Sequence, residues 1–116
     1  MFDMYEYIWV ERKRYLGLPI SFTKYMMTPD RIFVQTGFFS MKREQILFQR
    51  VKDLTLTATL WQRFFGVGSV HIISADASTP QMHLVNIPDP AYVMELIHKN
   101  SEKIRKELGL KLNEFQ

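Results

Sequence analysis

The rhythm of apolar and polar positions changes along this chain. In "VKDLTLTATL", Leu54, Leu56, Ala58 and Leu60 share one parity, and Asp53, Thr55, Thr57 and Thr59 share the other. A period of two belongs to a strand, whose successive side chains point to opposite faces; a helix would not sort these residues so. Weaker versions of the pattern run through "YEYIWVE", "ISFTKYMM", "RIFVQT", "KREQILF", "GSVHIIS" and "QMHLVNI". Together they predict strands over residues 5–11, 20–27, 31–36, 42–48, 51–60, 68–74 and 81–87. Gly17 with Pro19, the "TPDR" turn around Pro29, "GFFSM" and "ADASTP" punctuate them. Connections so short join neighbours as antiparallel hairpins.

"WQRFFGVG" interrupts the alternation. Gly66 and Gly68 are expected to relieve crowding where the chain bends, and Trp61, Phe64 and Phe65 to cover the corner as an apolar plug. After Asp89 the period lengthens. Val93, Leu96, Ile97, Asn100, Ile104 and Leu108 recur at spacings of three and four, an apolar helical stripe with one polar interruption. Asp89 as cap, Pro90 at the first helical position and Gly109 as stop predict a helix over residues 90–108. Residues 1–109 then form the domain and 110–116 a flexible tail. Strands followed by one helix, without βαβ alternation, exclude doubly wound and α/β-barrel enzyme folds.

At 116 residues the chain holds one core. It has no cysteine, which removes disulfides, thiol nucleophiles, thiolate zinc sites and iron–sulfur clusters. No run approaches the roughly 20 apolar residues that span a bilayer. The N-terminal segment has acidic residues where a signal peptide wants positive charge. A cytoplasmic protein is expected, one that can still sit peripherally on a membrane. Residues 1–65 carry ten Lys/Arg and six Asp/Glu, whereas residues 66–116 carry five and six, so the basic excess lies in the first half. That excess forms no dense stripe interleaved with aromatics, and no nucleic-acid partner is expected.

Nothing in the sequence assembles a catalytic motif. Asp30, Glu44, Asp53, Asp76 and Asp89 are scattered among turns and strand faces, and no nucleophile elbow or phosphate-binding glycine loop is present. His71 and His83 approach each other only if their strands pair, and His98 lies far along the chain. A metal site wants three or four converging ligands, so neither metal nor cofactor is expected. Asp53 is a candidate to pair across strands with Arg50 or Arg63, and Arg63 to stack on Trp61.

Four short elements carry a family resemblance: Met27, Thr28, Pro29, Asp30 and Arg31; Arg50, Val51, Lys52, Asp53 and Leu54; Gln62, Arg63, Phe64, Phe65 and Gly66; and Asn86, Ile87, Pro88, Asp89 and Pro90. In kind and joint spacing, over about residues 5–108, they resemble a group of short bacterial pleckstrin-homology-like domains, often membrane-associated. The resemblance implies a mainly β fold, a partly open barrel of about seven antiparallel strands capped by one C-terminal amphipathic helix. It also implies a non-catalytic module. Many relatives carry transmembrane helices beside the domain, and this chain departs from them.

Two surfaces follow as candidates. In lipid-binding relatives the loop after the first strand reads anionic headgroups. Here that loop brings Arg12, Lys13 and Arg14, which Lys24 can join from the second strand. Three or four cations are at or below the edge of the roughly four to eight that recruit strongly to anionic lipid. The other surface is "GFFSM": Phe38, Phe39 and Met41 are core if the chain folds back over them, and a sticky tip for a second subunit or a membrane if exposed. The leading expectation is a protein-interaction or self-assembly module, with apolar burial and edge-strand pairing as its mechanism. Peripheral binding to anionic membranes is the alternative.

Overall fold

The structure, a computed structural model, describes residues 6–16, 18 and 20–114. Four strands, β1 (Trp9–Arg12), β2 (Thr23–Met27), β3 (Arg31–Thr36) and β4 (Lys42–Leu47), form one antiparallel sheet in chain order. A single 3₁₀ turn at Phe48–Arg50 leads into β5 (Val51–Thr57). That strand starts a second antiparallel sheet, completed by β6 (Val67–Ser74) and β7 (Gln81–Pro88). A short helix, α1 (Leu60–Phe64), joins β5 to β6, and a long one, α2 (Pro90–Glu114), follows β7. All pairings are antiparallel, as the hairpin lengths predict, and the two sheets do not close into one barrel.

The core lies between the sheets and under α2. Tyr25, Ile32, Ile46 and Phe48 from the first sheet and its 3₁₀ turn meet Val70, Ile72, Leu84 and Ile87 from the second, and Val93 and Ile97 from the helix. Period two supplies the sheet contributions: Ile72 and Val70 alternate with exposed or half-buried neighbours. The helix contributes residues four apart, Val93, Ile97 and Ser101, with Ile104 partly buried. Tyr25 also ties the sheets together, its hydroxyl oxygen accepting the Val85 N–H at 3.0 Å. Burial pushes this phenol's pKa up, against the opposing effect of the backbone bond.

The Thr28–Pro29–Asp30–Arg31 element is a self-sealed turn. Thr28 donates to Asp30 at 2.7 Å, and Arg31 reaches the same carboxylate with two nitrogens, at 3.2 and 2.9 Å. The Arg31 hydrogen bonds hold the Asp30 carboxyl below the ordinary range. Phe48 N–H donates to the Asp30 carbonyl, so the turn also anchors the passage to the second sheet.

Several boundaries differ from the sequence reading. The first strand begins at Trp9, and Tyr5 lies outside the described residues. β2 begins at Thr23 because Ser21, buried, spends its hydroxyl on the Lys13 carbonyl at 2.7 Å and holds the loop in another shape. β5 stops at Thr57. Thr59 and Gln62 form a reciprocal capping box, which starts a helical turn where the alternation predicted more strand. Leu60 therefore leaves the sheet wall and is exposed. Trp61 and Phe64 do not plug the corner: α1 turns them outward, while Phe65 stays half-buried. Asp89 adopts a left-handed φ of 49° and supplies its carbonyl to Val93 N–H. Gly109 does not stop α2. A helical glycine costs about 1 kcal/mol against alanine, a penalty the long helix absorbs, and residues 110–114 continue it.

Candidate functional site

Antiparallel order places the β1–β2 and β3–β4 connections at the same end of the first sheet. Their contact is direct: Gly37 N–H donates to the Phe22 carbonyl, and the Phe22 and Phe38 rings lie 4.8 Å apart. Phe39 packs edge-on against Phe38 at 4.7 Å. Gly37 is required here, since its φ is 122° and a Cβ would stand 1.8 Å from the Ser40 carbonyl oxygen.

Helix α1 reaches the same end through Asn86. Gln62 donates its side-chain amide to Ser69 Oγ and to Asn86 Oδ1, each at 2.9 Å. The Asn86 carbonyl accepts the Arg14 N–H at 2.9 Å, and Asn86 itself has a left-handed φ of 53°. The helix and the β1–β2 loop thus dock on one residue of β7. Between them lies a small cavity of about 220 Å³, lined by Arg14, Tyr15, Leu16, Trp61, Gln62 and Phe65 among others.

These contacts join three tips into one crest. Its apolar side chains point into solvent: Leu16 is 75% exposed, Phe39 98%, Trp61 76% and Phe64 77%, with Leu18, Ile20, Phe22, Phe38, Met41 and Leu60 also exposed. Scattered exposed apolar residues are ordinary, but Phe22, Phe38 and Phe39 stack on one another and Leu16 and Trp61 line one cavity, and grouped exposure of this kind marks a docking surface. Leu16 is held at φ 51°, an uncommon conformation for a residue with a side chain, and its exposed side chain gains no burial in return.

The charge of the crest is one-sided. Residues 12–24, 37–43 and 58–66 contain Arg12, Lys13, Arg14, Lys24, Lys42, Arg43 and Arg63 and no Asp or Glu. Two flanking acids reach in: Glu11 pairs Arg14 at 3.2 Å and Glu44 pairs Lys42 at 3.3 Å. Arg12 donates to the Ser21 carbonyl at 2.8 Å, closing its own loop. Lys13 lies over the Tyr15 ring, and Lys24 stands opposite Arg12 in the β1–β2 register.

Arg12 and Lys24 stand opposite each other, Lys13 and Arg14 follow Arg12 in the same loop, with the Arg14 N–H docked on Asn86, and Phe38, Phe39 and Met41 are exposed. Sequence reasoning missed that these form one surface, and it missed Lys42, Arg43 and α1 as parts of it. The signal was present: three segments free of acidic residues, one of them opened by the Thr59–Gln62 capping box.

The remaining candidates do not converge. His71 and His83 do pair across β6 and β7, with Nε2 atoms 2.9 Å apart. Burial, then the neighbouring His71, lowers the His83 pKa. His98 lies on α2, away from both, and no group of three or more His, Asp or Glu residues suited to a metal occurs among the described residues. Asp53 accepts its neighbour Leu54's N–H at 2.9 Å in place of the cross-strand arginine expected. Asp76 closes its own loop through Ser78, whose hydrogen bonds hold its carboxyl low.

Compared with known families, residues 13–101 match the family described as the bacterial PH domain. No curated protein and no solved structure matches the chain.

Proposed function

The chain belongs to the bacterial PH domain family, and from that premise we propose that it is a non-catalytic module that docks peripherally on anionic membrane surfaces through the three-tipped crest. One observation carries this reading: the three segments that build the crest expose ten apolar side chains, contain seven cations and hold no acidic residue. Aromatic and leucine side chains favour the interfacial region of a bilayer, and each Lys or Arg near an anionic surface adds about 1 kcal/mol. No helix among the described residues is long and apolar enough to cross a membrane.

Self-assembly through Phe38, Phe39 and Met41 fits less well. Two copies meeting crest to crest would set two surfaces of net positive charge against each other, even with Glu11 on Arg14 and Glu44 on Lys42, and like charges in contact disfavour association. A lipid surface supplies the opposite sign.

Flotation with phosphatidylcholine vesicles, with and without phosphatidylserine, at low and physiological salt, tests the reading. The chain should float with the acidic vesicles and lose affinity as salt rises. Equal behaviour on both vesicle types, or a dimer whose formation hides Trp61 from solvent quenchers, would overturn it.

A further inference from the structure

A second surface lies between β5 and α2, at the end of β5 away from the crest. A cavity of about 400 Å³ opens there, its floor made by Val51, Leu54 and Met94 and its helical wall by Glu95, His98 and Ser101. Ser101 is 2% exposed, and its hydroxyl has no hydrogen-bond partner among the described residues. A helical serine ordinarily returns its hydroxyl to the carbonyl one turn back, and a buried hydroxyl left unbonded is costly.

The opposite wall is an unfinished sheet. β5 pairs with β6 alone, so alternate residues direct N–H and C=O outward. The Leu54 N–H, bonded to the Asp53 carboxylate, marks Leu54 and Leu56 as the outward set. Two outward groups are occupied by side chains of this chain: Asp53 accepts the Leu54 N–H, and the Arg105 guanidinium donates to the Val51 carbonyl. A carboxylate acceptor and a guanidinium donor thus stand where the carbonyl and N–H of another strand would stand. A bulge between Val51 and Asp53 breaks the register at this point.

We propose that the groove takes an extended peptide segment, laid beside β5 as an added strand and displacing Asp53 and Arg105 from their positions. The edge supplies main-chain bonds, which only an extended backbone can match residue by residue. The apolar floor takes an aliphatic side chain, and the Ser101 hydroxyl gains the partner it lacks. In the lining Glu102 pairs Arg105 at 3.2 Å, which leaves Asp53 and Glu95 against Lys52, so a basic residue beside the aliphatic one is preferred. This acidic balance is opposite to that of the crest and separates the two surfaces chemically. The assignment does not rest on membrane docking; both surfaces can be engaged at once.

The test is selection of displayed random dodecapeptides on the full chain, followed by titration of enriched synthetic peptides into the isotope-labelled protein. Enriched sequences should alternate, with aliphatic and basic residues, and should shift the amides of β5 and of residues 94–105. Ser101→Ala should keep or raise the urea midpoint, because the hydroxyl has no internal partner, yet weaken peptide binding about five- to tenfold. Glu95→Lys should weaken basic peptides and leave folding unchanged. No enrichment, shifts confined to the crest, or a Ser101→Ala variant that loses stability while keeping affinity would overturn the proposal.

Discussion

Replacing Phe39 by Ser separates docking from folding. The ring is 98% exposed and packs edge-on with Phe38, so its removal takes almost nothing from the core. Surface changes of this kind stay within about 0.5 kcal/mol. On a membrane the same ring passes from water into the acyl boundary. Burying a phenylalanine side chain fully is worth about 1.5–3 kcal/mol, which corresponds to roughly a tenfold to hundredfold change in partition coefficient. Phe33 gives the contrast: it is 1% exposed, and Phe33→Ala should cost about 3–5 kcal/mol of stability. Urea unfolding and a vesicle titration, followed by quenching of tryptophan with brominated lipid, measure the two quantities separately. The expected result for Phe39→Ser is an unchanged midpoint and a partition coefficient down at least tenfold. Partition within twofold of the parent chain would refute the role given to this tip, and a large loss of stability would refute its exposure.

Tyr25→Phe removes the acceptor of the Val85 N–H inside the core and should cost about 1–3 kcal/mol, seen as a lower urea midpoint with an unchanged slope. Gly37→Ala forces a left-handed φ on a residue with a Cβ and drives it into the Ser40 carbonyl; thermal melts should show a loss of at least about 1 kcal/mol. The His71–His83 pair predicts acid sensitivity. Because His83 titrates below the ordinary 6.5, its contribution to stability is complete above that value and is lost as pH falls through the lower one. His83→Gln should flatten this part of the stability–pH curve, and an unchanged curve would count against the pair as its source.

The second sheet was legible because β6 and β7 bury mainly one face, and burial writes itself as alternation, whereas β2 and β3 bury neighbouring residues and were read from their turns and strand-favouring composition. β3 was legible to the residue, Arg31–Thr36. The helix was legible from Val93 and Ile97 for the same reason at a different period. What failed was local competition. Leu60 keeps the parity of Leu54 and Leu56, yet the Thr59–Gln62 pair bonds reciprocally and turns the backbone before parity can act. Gly109 carries a stop signal that α2 overrides, its Cβ position lying in open space. The crest was only half legible. Exposure of Phe38 and Phe39 is a property of tertiary placement, and no window of sequence contains Leu16, Phe39 and Trp61 together. Their union depends on antiparallel order and on Asn86, which sits in β7, far from all three in sequence.

Asn86 therefore does more than extend a strand. One residue, left-handed and offering both its side-chain oxygen and its carbonyl, pins a helix from one side and a loop from the other. The spacing of those tips is a property of the second sheet, and the loops cannot drift apart or change length independently without unfastening it. A surface composed of segments distant in sequence is in this way given a fixed footprint.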